Sequence, residues 1–169
     1  MIEYRDAVPA DGPELDTMAS AIWLETFAHS CSAADAAAYM AKAYGENGQL
    51  LADLEKPEID FHIARAEGRI VGYAKLNPPW LPDAEPGAIQ LSQIYVASDW
   101  HGRGIAQELM AWTQARARER GATALLLTVW EANHRAIAFY QRQGFVHVGD
   151  YAFAVGDQVD RDLILRLAL

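Results

Sequence analysis

At 169 residues, with 51% hydrophobic and 22% charged residues, the chain has the size and composition of one globular domain with a buried core. Its formal net charge of −9 argues against a nucleic-acid partner, because binding to phosphates needs a basic patch. No apolar run is long enough to span a bilayer, the N-terminus lacks the features of a signal peptide, and a single cysteine excludes an internal disulfide. We therefore expect one cytoplasmic domain over residues 1–169, with no membrane partner.

Helical patterns dominate the region that follows a short first strand in IEYRDA. The first helix follows Pro9, the second begins at the capping residue Ser32 and stops at Gly45, and a third covers QLLADLE. The apolar residues that indicate the first helix are Leu15, Met18, Ile22 and Leu24.

The rest of the chain alternates strands with two helices. DFHIARAEGRIVGYAKLN holds two β-rich runs around the hairpin residues Glu67-Gly68, and AIQLSQIYV is a third run after a proline-rich loop. A helix is expected from Gly102 to Arg120, then the strand ALLLTVW, then a helix that Asn133 begins and Gly144 ends. Strands in FVHVGDYAFAVG and DRDLILRLAL complete the chain. This order predicts an α/β (α+β) domain with a mixed central β-sheet flanked by helices.

The turn HGRGIA joins a predicted strand to a predicted helix through two glycines. Gly102 and Gly104 can serve the geometry of the turn alone, because glycine adopts backbone angles that other residues avoid. They can also let an anion approach the free N–H groups of the first helical turn. The spacing differs from that of a dinucleotide-binding loop, and the absence of a phosphate-loop lysine weighs against a nucleotide-binding regulatory domain.

The strand end IYVASDW, the turn HGRGIA and WEANHRAIAFYQRQGF together resemble the GNAT family of acetyl-CoA-dependent N-acetyltransferases. The family signature is Arg or Gln, two residues, Gly, one residue, then Gly or Ala, and His101 departs from it at the first position. IVGYAKLN, WLETF and DLILRL are most like the Pai-type spermidine and spermine acetyltransferases of that family. The resemblance implies a single GNAT domain that uses acetyl-CoA as cosubstrate, needs no metal, acts on a small-molecule amine, and is compatible with a homodimer.

The resemblance also implies which residues hold acetyl-CoA. Main-chain groups of the strand before the turn meet the pantetheine arm, and the amides of the turn bind the pyrophosphate. Asn133 occupies a natural N-cap position, and its counterpart in the family also contacts the cofactor. Arg103 can add a direct phosphate contact, and Arg142 can reach the 3′-phosphate or remain a solvated residue. The implied set is Ile94, Tyr95, Val96, His101, Gly102, Arg103, Gly104, Ile105, Ala106, Gln107 and Asn133.

For catalysis, the resemblance implies direct attack of the amine in a ternary complex, with Tyr140 protonating the leaving thiolate. A tyrosine on such a helix can equally be a core residue. Many family members carry a Glu on the strand before the turn, where this chain offers only Gln90, Ser92 and Gln93. The general base therefore stays open between a water chain and a remote carboxylate such as Glu25. Cys31 has no neighbour in sequence that would activate it as an acetyl carrier.

A polyamine acceptor needs carboxylates or aromatic faces for the nitrogens that do not react. The sequence offers Glu25 in WLETF, with Asp83 and Glu85 in the proline-rich loop, although each can simply be a solvated surface residue. Two other interpretations remain open. One is a GNAT enzyme for an amino acid, an antibiotic or a protein N-terminus, and the other is a non-catalytic acyl-CoA-binding sensor.

Overall fold

The computed structural model describes residues 1–169, and a single seven-stranded sheet organises them. Its strands are β1 (Glu3–Asp6), β2 (Asp60–Ala66), β3 (Arg69–Asn77), β4 (Ala88–Val96), β5 (Ala124–Trp130), β6 (Val146–Val155) and β7 (Gln158–Ala168). They lie in the order β1-β2-β3-β4-β5-β7-β6, and only the β4–β5 pair is parallel. The expected mixed sheet is confirmed.

Five α-helices flank the sheet: α1 (Gly12–Phe27), α2 (Ala33–Ala43), α3 (Gln49–Leu54), α4 (Ile105–Glu119) and α5 (His134–Arg142). The helix expected from Gly102 begins at Ile105, because Gly102 and Gly104 adopt left-handed φ angles of 76° and 80° that no α-helix contains. None of the helices is both long and apolar enough to cross a membrane.

Two hydrophobic clusters cover the two faces of the sheet. One packs α1 and α2 against residues such as Ile63 and Tyr73, and the other packs α4 and α5 against residues such as Val71. On α1 the buried stripe is Leu15, Ala19 and Trp23, at the four-residue spacing of a helix face. Leu24, one of the residues that indicated this helix, is 43% exposed because it follows the buried Trp23 by one residue.

The sheet opens between β4 and β5. The two strands pair only where Ala88–Gln90 face Ala124–Leu126, although both strands continue further. A β-bulge accompanies the opening, since Lys75 pairs with Gln93 and Leu76 pairs with Leu91, which leaves Ser92 as an extra residue. Beyond these three pairs, the facing backbone edges of β4 and β5 lack each other as hydrogen-bonding partners.

Candidate active site

A cavity of about 780 Å³ occupies the opening between β4 and β5. Its walls come from β4, β5, the turn before α4, α5, the N-terminal helices and the β6–β7 hairpin. Nearly every residue implied by the family resemblance lines it: Ile94, Tyr95, Val96, His101, Gly102, Gly104, Ile105, Ala106, Gln107, Asn133 and Tyr140. The side chains of Arg103 and Glu25 do not.

The turn before α4 presents a group of free backbone donors. The first N–H groups of the helix with a backbone acceptor are those of Gln107 and Glu108, which both donate to the Gly104 carbonyl at 3.1 Å. The five N–H groups of residues 102–106 therefore have no backbone partner. A Cβ on either Gly102 or Gly104 would meet nothing within 4 Å, so these glycines serve the left-handed backbone and leave space above the amides. Such a turn is suited to a phosphate group.

His101, the residue that departs from the family signature, joins three segments at this turn. Its Nε2 donates to the Val96 carbonyl at 2.8 Å, and its Nδ1 accepts a hydrogen bond from Arg135 of α5. This contact holds the Arg135 guanidinium in the cavity wall. The Arg103 guanidinium instead lies over the Trp100 ring, 4.3 Å from its centroid. Arg142 of α5 also lines the cavity, so this helix contributes two cations to the wall, while Arg103 offers its backbone N–H.

The polar residues of β4 are engaged in holding the structure together. The Gln90 side chain accepts from the Trp80 N–H at 3.1 Å, Ser92 bonds with Asn77, and Gln93 accepts from the Tyr73 hydroxyl at 2.8 Å. Ser92 and Gln93 reach the cavity, but neither is a carboxylate. The strand therefore supplies backbone groups and no base.

Asn133 and Tyr140 place α5 against the same cavity. The Asn133 side chain caps α5 by accepting from the Ala136 N–H at 3.4 Å. Tyr140 is 8% exposed and contacts Phe139 and Phe145 edge to face. Burial raises the pKa of the Tyr140 phenol, so the group keeps its proton at neutral pH and can act as a donor.

The end of the cavity beneath α1 and α2 is aromatic. Trp23 stacks on Tyr39 with ring centroids 4.4 Å apart, and Phe27 meets Trp130 at 5.8 Å. Phe153 of the hairpin completes this group, 6.0 Å from Tyr39. Aromatic faces of this kind attract organic cations.

Two acids of β7, which the sequence interpretation did not select, lie at this aromatic end. Asp160 and Asp162 both line the cavity, and Asp162 is only 7% exposed. Burial raises the pKa of Asp162 to about 6, an effect that a hydrogen bond from Thr128 partly offsets and the charge of Asp160 reinforces. The two aspartates are two residues apart on one strand, so their side chains lie on the same face of the sheet. This spacing is the one feature of the sequence that could have identified them as a pair.

The carboxylates expected on the acceptor side lie elsewhere. Glu25 is exposed on α1, because it is two residues from both Trp23 and Phe27, and a helix turns about 200° over two residues. Asp83 lines a separate pocket of about 440 Å³, and Glu85 in the same pocket is bound to Arg166 at 2.7 Å. None of these three acids lines the cavity between β4 and β5, whereas Asp160 and Asp162 do, so the role of the three in binding the acceptor stays a prediction without structural support.

Neither the single cysteine nor the metal-ligating side chains form a reactive centre in this structure. Burial raises the pKa of the Cys31 thiol, as do the charges of Asp35 and Asp160, so the thiolate is disfavoured. No group of three or more His, Cys, Asp or Glu side chains is arranged to hold a metal ion.

Comparison with known proteins gives a consistent set of matches. Residues 18–145 match the model of the acetyltransferase (GNAT) family. An uncharacterised N-acetyltransferase of Lactobacillus delbrueckii subsp. lactis is 27% identical over 161 residues, covering 94% of this chain and 92% of that protein. An uncharacterised N-acetyltransferase of Mycobacterium bovis is 31% identical over 149 residues, covering 86% of this chain and 92% of that protein.

A solved structure shares the whole fold. The PaiA N-acetyltransferase of Thermoplasma acidophilum, determined in complex with coenzyme A, superimposes with a TM-score of 0.79 and 19% identity. The alignment covers 100% of this chain and 99% of that chain, so the architecture is common to both from end to end.

Proposed function

We propose, from the premise that this chain belongs to the acetyltransferase (GNAT) family, that it moves the acetyl group of acetyl-CoA to a primary amine in a ternary complex. Relatives that match it over nearly their full length are named N-acetyltransferases, and the chain is an enzyme of that class. One observation carries the proposal. A single cavity has free N–H groups at one end, two carboxylates at the other, and Tyr140 in its wall.

The residues present fit the cosubstrate. The free N–H groups of residues 102–106 and the helix dipole of α4 favour a pyrophosphate, the dipole by about 0.3–1 kcal/mol at an exposed end. The unpaired edge of β4 over Ile94–Val96 suits an extended amide-bearing arm, which would bind as an added strand. The Val96 carbonyl is already engaged by His101, so the arm has the other backbone groups of this edge at its disposal.

Within this arrangement, each residue has a limited task. A backbone N–H of Ile94–Val96 stabilises the negative charge that develops on the acetyl oxygen. Tyr140, whose phenol is protonated at neutral pH, donates its proton to the departing thiolate. Bound acetyl-CoA supplies the activated acetyl group.

For the acceptor, we propose a cationic aliphatic amine, and a polyamine such as spermidine or spermine in particular. The aromatic faces of Trp23, Tyr39 and Phe153 and the carboxylates of Asp160 and Asp162 support this class, because nitrogens that do not react keep their charge and need such partners. The sequence resemblance to the Pai-type enzymes supports the same class.

The test is release of free CoA thiol from acetyl-CoA across a panel of amines, with thioester hydrolysis in the absence of amine as the background. We expect release with primary amines, and a higher kcat/KM for spermidine than for a monoamine of similar length. Tight acetyl-CoA binding without amine-dependent release would favour a sensor instead. Equal rates for polyamines and monoamines would keep the acetyltransferase and reject the polyamine.

A further inference from the structure

An alkyl amine reaches this enzyme as an ammonium ion and must lose a proton before it can attack. With a pKa near that of lysine, roughly 10.4, its neutral form at pH 7 costs about 4–5 kcal/mol. The strand before the turn contributes Ser92 and Gln93 to the cavity, and neither side chain accepts a proton at neutral pH. The proton acceptor has to come from another wall.

The buried acids of the chain differ sharply in their partners. Asp11, Asp53 and Asp162 are the three buried carboxylates. Asp11 forms an ion pair with Arg5 at 2.8 Å, and Asp53 forms one with Lys56 at 2.8 Å. Asp162 has no such cation and is the one of the three that lines the same cavity as Tyr140. A buried carboxylate of this kind is costly unless a cation arrives from outside.

The surroundings of Asp162 keep it available as a proton acceptor. It sits on β7 opposite Trp130 of β5 and Tyr151 of β6. The titratable groups that face it are the carboxylate of Asp160, also on β7, and the phenols of Tyr39 on α2 and Tyr95 on β4. Burial raises the pKa values of both phenols, so Asp160 is the one charged neighbour among these groups.

We propose that Asp162 is the catalytic base, which takes a proton from the acceptor ammonium and so produces the neutral amine that attacks the acetyl carbonyl. This inference rests on the function proposed above. Burial raises the pKa of Asp162 to about 6, which is close to the working pH and raises its basicity above that of an ordinary aspartate.

The protons and electrons of the reaction balance with two side chains. Asp162 takes the first ammonium proton and later releases it to solvent. The nitrogen lone pair forms the new C–N bond to the acetyl carbon, and the C–S bond breaks with its electron pair on sulfur. Tyr140 gives its proton to that sulfur and regains one from the nitrogen, which leaves a neutral amide. The net products are the acetylated amine, CoA thiol and one proton.

The test compares, in the intact enzyme, one acceptor whose nitrogen is protonated at pH 7 with one whose nitrogen is neutral. Asp162→Asn removes the base with little change in shape, and Asp157→Asn, at the exposed turn of the same hairpin, is the matched control. With an alkyl ammonium acceptor at pH 7, Asp162→Asn should lower kcat/KM by about 10²–10⁴-fold. With an O-alkyl hydroxylamine, whose nitrogen is already neutral, the loss should stay below about tenfold because no base is required.

Two further readouts separate catalysis from structure. Carbon-13 NMR of labelled aspartate carboxyls should show one signal that titrates near pH 6 and is missing from Asp162→Asn, while calorimetry should find an unchanged Kd for acetyl-CoA. If Asp162→Asn does not fold, Asp162→Glu provides the test, with a reduced rate but a retained dependence on acceptor basicity.

Equal losses for the two acceptors, or no loss for either, would overturn the assignment of Asp162. A wild-type protein that releases no thiol with either acceptor would overturn the proposed function itself, which is a distinguishable result.

Discussion

Replacing Asp162 with Asn should stabilise the folded protein at neutral pH while it removes the proposed base. The carboxylate is 7% exposed and has no basic partner, so folding buries a charge that the unfolded chain leaves in water. Asparagine keeps the shape and can still accept a hydrogen bond from Thr128, but it carries no charge. The gain in stability should therefore depend on pH.

The pKa of Asp162 fixes the sign and the size of this dependence. Burial raises the pKa from an ordinary value of 3.8 to about 6. Between these values the folded state binds more protons than the unfolded state, so the free energy of unfolding falls as pH rises. The shift corresponds to an upper limit of about 3 kcal/mol, and access of water from the cavity reduces this to roughly 1–3 kcal/mol. The penalty is complete above about pH 7 and absent below about pH 3.5.

The measurement is urea unfolding of the wild type and Asp162→Asn from pH 4 to 8, with Asp157→Asn as the control. The difference in unfolding free energy between Asp162→Asn and the wild type should grow by roughly 1–3 kcal/mol over this range, most steeply between pH 4 and 6. The control should follow the wild type. A constant difference across the range would show that the Asp162 carboxyl titrates normally and would refute the reasoning from its burial.

Three other predictions concern separate parts of the cavity. Gly104→Ala should cost about 1–2 kcal/mol of stability, because alanine is strained at a φ of 80°. The added methyl group meets nothing in the protein and so projects into the open space above the turn amides, where it should weaken acetyl-CoA binding in calorimetry. Tyr140→Phe should lower kcat about a hundredfold in the thiol assay with an unchanged Kd for acetyl-CoA, whereas full activity would make Tyr140 a packing residue. Asp160→Asn should raise the KM for spermidine, and the difference from the wild type should shrink as salt screens the charge, an effect that uncharged contacts would not show.

Most helices and strands could be predicted from local sequence patterns. The apolar run of β5 and the N-cap of α5 were readable because propensity and capping act over a few neighbouring residues. The start of α4 was expected three residues early, since the sequence HGRGIA does not reveal that both of its glycines take left-handed angles. The partners of His101 were also beyond local reach, because Val96 and Arg135 meet it only through the packing of β4 against α5.

The acceptor end shows where sequence reasoning stops. Glu25 was selected from the resemblance of WLETF, but the same helical turn that buries Trp23 directs Glu25 to solvent. Asp162 went unselected within DRDLILRLAL, where it reads as an ordinary strand residue. Its unusual character comes from the register that sets β7 between β5 and β6, and pairing between strands so distant in sequence is a property of the whole sheet.

The β6–β7 hairpin lies entirely beyond residue 145, where the match to the family model ends. The turn before α4 and Tyr140 fall inside that match, whereas Asp160 and Asp162 fall outside it. Since β7 pairs with β5 from Asp162 to Ala168 and β6 pairs only with β7, side chains on the cavity face of this hairpin can be exchanged without touching the turn before α4. If the proposed function is right, substitutions on the cavity face of this hairpin should change acceptor preference while acetyl-CoA binding stays the same.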